Sequence, residues 1–239
     1  MAVDKVLGVP KFLGVLGGMG PLASAQFMTR LTLLTPAERD QDHIPAILWS
    51  DPRVPDRTRG KLSGGDDPLP WLLRGIRGLE QAGCGAIAIP CNTAHGWYEE
   101  MAAATALPIL HIVDAAAAEM RRQGIHGGKI GLMGTAATLA MRLYQSRFDG
   151  LGYDCITPDD DQMARLVSPA IARVKANQVA EAYAPLAEAA KNLMARGARA
   201  IMLGCTEIPL GIQAGPPLPF PVADTIDGLA RAAIGWARG

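Results

Sequence analysis

Aromatic residues are scarce in this chain, at 5% of 239 positions, and cysteine is scarcer still, at four. The cysteines, at 84, 91, 155 and 205, form no Cys-x-x-Cys pair and no Cys/His spacing of a zinc site. A disulfide scaffold is therefore excluded, and the four read as reduced thiols in a cytoplasmic protein. Charge of one sign is missing too. The 23 basic residues balance 23 acidic ones, and no basic run or basic–aromatic stripe marks a nucleic-acid surface. No apolar run is long enough to span a bilayer, so no membrane partner is expected. Met1 to Lys11 lacks the apolar core and cleavage site of a secretory signal.

What the chain does contain is repetition. Leu79-Glu-Gln-Ala-Gly-Cys-Gly-Ala-Ile-Ala-Ile-Pro-Cys91 aligns without gaps on Leu193-Met-Ala-Arg-Gly-Ala-Arg-Ala-Ile-Met-Leu-Gly-Cys205, an offset of 205 − 91 = 114. Gly14-Val-Leu-Gly17 matches Gly131-Leu-Met-Gly134 at an offset of 117, and Leu107–His111 matches Phe220–Asp224 at 113. Three landmarks in one order at nearly one offset argue for an internal duplication.

Between the landmarks, short apolar runs alternate with helical periodicity. Strands are expected at Phe12–Leu16, Ile44–Trp49, Ala86–Pro90, Leu107–Val113, Lys129–Gly134, Ala200–Gly204 and Pro221–Asp224. Helices are expected after the glycine turn at 17–21, then over 70–83, 101–106, 114–124 and 139–151. Further helix is expected over 162–190, broken near Pro185, and over 226–238. The fold class is α/β, with two pseudo-symmetric lobes, each a mostly parallel sheet flanked by helices, around a shared cleft. The final helix has no partner in its own repeat. Residues 1–114 with 224–239 are thus expected as one lobe, and 115–223 as the other.

Ligands of open α/β sheets bind beyond the carboxyl ends of the strands, which is where Cys91 and Cys205 fall. Each ends an apolar strand and precedes polar residues, Asn92-Thr93 and Thr206-Glu207. Backbone N–H groups there are expected to lower a thiol pKa. A single cysteine in such a place is more simply a small core hydrophobe, as Cys84 and Cys155 are read. Two at equivalent ends of duplicated strands favour chemistry. His95, one helical turn past Cys91, is placed to tune its thiol, while His43, His111 and His126 read as structural or exposed.

Gly18-Met-Gly-Pro-Leu-Ala23 fits a dinucleotide fingerprint, which keeps a nicotinamide enzyme open as a rival. Its confirming acidic residue arrives late, at Asp51. The plainer reading is a turn whose amides approach a carboxylate. Arg57 in its proline-stiffened loop can pair with a carboxylate in bidentate fashion. Arg53 and Arg59 read as solvated charges and Lys175 as a surface helix lysine. Thr135 and Thr138, at the second repeat's version of the glycine turn, can donate to a carboxylate or simply cap a helix.

Gly17-Gly-Met-Gly-Pro21, Pro55-Asp-Arg-Thr58, Pro90-Cys-Asn-Thr-Ala-His95 and Gly204-Cys-Thr-Glu207 together resemble the aspartate/glutamate racemase superfamily, most closely its aspartate racemase branch. The likeness runs over essentially the whole chain. It implies a site between two lobes, neither pyridoxal phosphate nor metal, and a homodimer. By motif it implies Cys91 and Cys205 as the acid/base thiols, and Met19, Arg57, Asn92, Thr93, Thr138 and Lys175 as substrate-lining residues. Lys175 acquires a role through this likeness alone. Asp51 departs from the pattern, since relatives often carry Asn there.

The expected reaction is cofactor-independent interconversion of L- and D-aspartate, or glutamate, by proton transfer at Cα between two cysteines. Asn92, Thr93 and Thr206 would surround the α-carboxylate, and Arg57 and Lys175 would bind the distal one. The alternatives are maleate isomerisation, malonate decarboxylation and non-catalytic amino-acid binding.

Overall fold

The computed structural model describes residues 12–239; Met1 to Lys11, read above for a secretory signal, lie outside them. Strands β1 (Phe12–Gly17), β2 (Ala46–Ser50), β3 (Cys84–Ala88) and β4 (Ile109–Leu110) form one sheet in the order β2-β1-β3-β4. Strands β5 (Gly128–Gly134), β6 (Tyr153–Ile156), β7 (Ala200–Gly204) and β8 (Val222–Asp224) form the second, in the order β6-β5-β7-β8. Every pairing is parallel. Matching β1 to β5 makes the two orders identical, so the repeated sequence is a repeated sheet.

The helices are α1 (Pro21–Leu34), α2 (Arg57–Leu62), α3 (Leu69–Gln81), α4 (Tyr98–Ala103), α5 (Ile112–Arg122) and α6 (Ala136–Ala140). They continue as α7 (Leu143–Phe148), α8 (Ser168–Lys175), α9 (Tyr183–Ala195), α10 (Ile208–Gln213) and α11 (Thr225–Arg238). A short helical segment from Asp160 and a π turn at Met163–Val167 lead into α8.

Strand side chains alternate between two cores, as the period of two requires. Val15, Ala86, Ala88, Ile130, Leu132, Ala200 and Met202 point into a central core that includes both sheets. Leu16, Ile87 and Ile89 face an outer core under α3, and Ile201 and Leu203 face another under α9. Both faces of β3 and β7 are thus covered, and every residue of each strand is buried.

The central layer holds α1, α5, α7 and α11, through Phe27, Ile112, Tyr144 and Ile226 among others. Helix α5, which leaves β4, packs on α7 and β8, while α11, which leaves β8, packs on α1 and α5. Each repeat therefore passes its last helix across to the other. Bidentate Arg30–Asp227 contacts at 2.5 and 2.7 Å tie α1 to α11, and Glu119 on α5 meets Arg231 on α11 at 3.4 Å.

Four expectations change. The strand expected over 107–113 shrinks to two residues, because the His111 ring accepts the Val113 N–H at 3.2 Å and starts α5 at Ile112. The helix expected over 139–151 is two helices, separated where Arg142 takes a left-handed conformation at φ 52°. The long helix of 162–190 breaks at Asn177, φ 61°, and not near Pro185, which sits in the first turn of α9 where no N–H is missed. The edge strand β6 was not anticipated at all: it is four residues long and only partly buried.

Candidate active site

Cys91 lies beyond β3 and Cys205 directly follows β7, both at carboxyl ends and both buried. They line a single small cavity of about 10 Å³, together with Met19, Arg57, Asn92, Thr93, Thr135, Lys175, Thr206 and Glu207. Thr138 stands directly behind, its hydroxyl 3.0 Å from those of Thr93 and Thr135. The ten residues singled out from the sequence therefore converge on one place.

Hydrogen bonds between the repeats surround the cavity. Thr93 on one side and Thr135 and Thr138 on the other form a triangle of hydroxyls, with the third edge at 2.9 Å. Thr135 also caps α6 by accepting the Thr138 N–H at 3.1 Å, so its reading as a helix cap holds. The Thr206 hydroxyl donates to the Pro90 carbonyl at 3.2 Å. The Asn92 amide accepts from Tyr144 at 2.5 Å and donates to Thr225 at 3.2 Å, which fixes its plane.

Glu207 is the residue that sequence reasoning passed over. One carboxylate oxygen accepts the Gly20 N–H at 3.1 Å and the other accepts the Cys205 thiol at 3.0 Å. The glycine turn does present an amide to a carboxylate, but the carboxylate is the protein's own. Its place two residues after a strand-end cysteine was the available signal. The same contact removes the basis of the dinucleotide reading, since Gly20 points at Glu207 and Asp51 is held by Arg53 at 2.8 and 2.9 Å. Gly18, at φ 90°, has no room for a side chain: a Cβ would lie 2.5 Å from the Asp51 backbone.

Arg57 is the first residue of α2, whose N-cap Asp56 accepts the Arg59 N–H at 2.9 Å. Its guanidinium is buried. One terminal nitrogen donates to the carbonyls of Val54 and Pro55 at 3.0 and 2.8 Å, and Nε has no partner among the described residues. A buried donor left without a partner is uncommon, and this one stands beside the two cysteines' cavity. Lys175 ends α8 and reaches across to Asp56, Nζ to Oδ2 at 3.6 Å.

Both thiols are shifted upward, contrary to the sequence expectation. Burial raises Cys91, partly offset by Arg57 and the Ala94 N–H. Burial raises Cys205 well above the ordinary thiol range, and the Glu207 carboxylate adds to it. The anticipated N–H groups are present, and desolvation outweighs them. His95 does not tune the sulfur. Its Nδ1 bonds the Cys91 carbonyl at 2.9 Å, Nε2 accepts the Ile112 N–H at 3.2 Å, and burial lowers its pKa to about 4. It is neutral and structural. No cluster of three or more His, Cys, Asp or Glu side chains that could hold a metal occurs among the described residues. No helix among them is long and apolar enough to cross a membrane.

The sequence and the fold are similar to those of known proteins. The "Broad specificity amino-acid racemase RacX" of Bacillus subtilis (strain 168) is 32% identical over 167 residues, 68% of this chain and 70% of that protein. The structure of Picrophilus torridus aspartate racemase superposes with a TM-score of 0.85 at 31% identity, over 95% of this chain and 94% of that one. An aspartate racemase homologue from Pyrococcus horikoshii OT3 superposes with a TM-score of 0.75 over 96% of this chain and 100% of that one. At 21% identity that last likeness is one of fold alone. The family model for Asp/Glu/Hydantoin racemase matches residues 16–233, and the chain belongs to that family of isomerases.

Proposed function

We propose that the protein racemises an amino acid, aspartate in the first instance, by transferring a proton between Cys91 and Cys205 through the substrate Cα. The observation that carries this reading is the single buried cavity lined by both thiols, one from each repeat. In the free protein Cys91, beside Arg57 and Lys175, is the more readily ionised thiol. Cys205, hydrogen-bonded to Glu207, is the one held protonated. The thiolate removes the α-proton from one face, and the thiol supplies a proton to the other. Both proton carriers belong to the chain, so the scheme needs no added cofactor.

The cost lies in the carbanion, which fixed donors must stabilise. Thr93, Thr135 and Thr138 exchange hydroxyl contacts with one another at the cavity wall, and a substrate carboxylate can take those donors over. The unused donor of Arg57 suits a distal carboxylate. A cavity of about 10 Å³ has room for one water and not for aspartate, so the lobes part to admit substrate. Residues 1–114 with 224–239, and 115–223, are proposed as the bodies that move.

The test is proton NMR of the protein with L-aspartate in D₂O under a thiol reductant, without pyridoxal phosphate, followed by chiral chromatography. Loss of the α-proton signal together with D-aspartate is the expected outcome. Cys91→Ser and Cys205→Ser should each lower racemisation by about 10³-fold or more. Near-normal turnover in either variant would sink the two-base scheme.

A further inference from the structure

Asn92 follows Cys91 and lines the cavity, and its hydrogen bonds allow its amide one orientation. The Thr225 hydroxyl donates to the Leu203 carbonyl at 2.9 Å, so its single proton is committed there. Toward Asn92, 3.2 Å away, Thr225 must therefore accept, and the amide nitrogen must face it. The amide oxygen is left to Tyr144, whose hydroxyl donates to it at 2.5 Å. One amide hydrogen remains, with no acceptor among the described residues. A fixed donor on the cavity wall suits the α-carboxylate of an amino acid, which can only accept.

Tyr144 lies on α7 in the second repeat and is completely buried, whereas Asn92 belongs to the first. Phenylalanine would fill the same core volume, and Asn92 is the hydroxyl's one partner among the described residues. Burial lifts the phenol well above its ordinary pKa, so it stays a donor at every working pH. The ring is held edge-on by Phe148, with centroids 5.5 Å apart at 89°. It also meets the strand of the other cysteine. A Cβ on Gly204, the residue before Cys205, would lie 3.2 Å from the ring. Thr225 reaches the same strand at Leu203, so both holds on Asn92 are anchored at the end of β7 that carries Cys205.

We infer that Tyr144 is a positioning residue of the site: its hydroxyl holds the Asn92 amide with an N–H toward the substrate α-carboxylate, while its ring seats on the strand end that carries Cys205. One side chain thereby sets the donor beside Cys91 against the second thiol. The inference rests on the racemase reading above. Without the hydroxyl, the buried Asn92 oxygen loses its donor and the amide turns to find another. Negative charge grows on the α-carboxylate as the α-proton leaves, so a misdirected donor costs more in the transition state than in the bound substrate.

The experiment measures kcat and KM for α-proton exchange of L-aspartate in D₂O with the unaltered protein, Tyr144→Phe, Asn92→Ala and the double variant. Rates are referred to folded protein, counted by near-ultraviolet circular dichroism. Tyr144→Phe should lower kcat by about tenfold to a hundredfold and leave KM within about threefold. In the Asn92→Ala background the same change should lower kcat by less than about twofold, because Tyr144 acts through Asn92. In ordinary water the side-chain amide signals of Asn92, identified by their absence from Asn92→Ala, should exchange with solvent about tenfold faster in Tyr144→Phe. An unchanged kcat in Tyr144→Phe, or an equal loss in both backgrounds, would overturn the inference and leave the racemase reading standing. A Tyr144→Phe protein that does not fold would make the hydroxyl architectural and overturn it as well. No exchange by the unaltered protein would remove the racemase reading for aspartate and this inference with it.

Discussion

Two cysteines of equal rank in the sequence have unequal surroundings in the fold, and Glu207 and Arg57 both contribute to the difference. The Glu207 carboxylate accepts the Cys205 thiol at 3.0 Å, which favours the protonated sulfur, whereas Cys91 has Arg57 in its field. With both thiols raised, little thiolate exists at neutral pH, and kcat/KM should climb as pH rises toward the alkaline range. The alkaline limb should fall when Cys205 in turn ionises. Glu207→Gln keeps an acceptor for the Gly20 N–H but removes the negative charge, so Cys205 loses part of its upward shift. That limb should then move down by about one pH unit, with the limb set by Cys91 moving less. A uniform loss of rate at every pH would instead mark Glu207 as purely architectural. Cys91, Cys205 and Arg57 were legible as residue types at strand ends and in a stiff loop. Glu207 had only its spacing from Cys205 to mark it, and its second contact, with Gly20 187 positions away, is one that no local spacing reveals.

At the scale of elements, the strands that carry the cysteines were the easiest to read, since β3 and β7 are apolar on both faces and end at punctuating residues. The errors fall where a single backbone conformation overrides a periodic pattern. Leu139 to Leu151 has helical spacing throughout, yet Arg142 sits at φ 52°, ψ 33° and divides α6 from α7. A left-handed arginine costs about 1 kcal/mol that glycine avoids, though glycine returns part of this through unfolded-state entropy. Arg142→Gly should therefore raise stability by about 0.5 kcal/mol, read as a small upward shift of the urea midpoint at unchanged m. A destabilised variant would mean the arginine side chain itself holds the two helices at their angle. The strand expected through Val113 failed for a related reason. His111 turns the chain by capping α5, and Asp224, its counterpart in the repeat, does the same for α11 by accepting the Ile226 N–H at 2.7 Å. The repeat alignment paired those two positions, but alignment alone says nothing of capping.

For the molecule as a whole, the two repeats are joined through the helices those caps begin, and the pair of caps gives the assembly a dependence on pH. Burial, with Asp227 nearby, raises the Asp224 carboxyl to about 7, while Arg30 and the backbone N–H groups pull in the opposite direction. An unfolded chain would release that proton near about pH 3.9. Between those values the folded protein holds more protons than the unfolded one, so this group's contribution to stability is full below about pH 4 and declines as pH rises to about 7. Above that the loss is constant. Asp224→Asn keeps an oxygen for the Ile226 N–H and cannot ionise, so it should match the parent near pH 4.5. At pH 8 it should exceed the parent by about 1 kcal/mol, a figure that allows for the residue's partial contact with water. Urea unfolding at the two pH values measures the difference directly. Because α11 packs on α1 and α5 at the join between the repeats, the same substitution acts on the contact about which the lobes are proposed to part. If Asp224 is ionised at pH 8 in the parent, its charge loosens that contact, and the variant should bind substrate in a stiffer cleft with slower release. Equal stability differences at pH 4.5 and pH 8 would show that Asp224 keeps an ordinary carboxylate pKa and that the join between the repeats is indifferent to its charge.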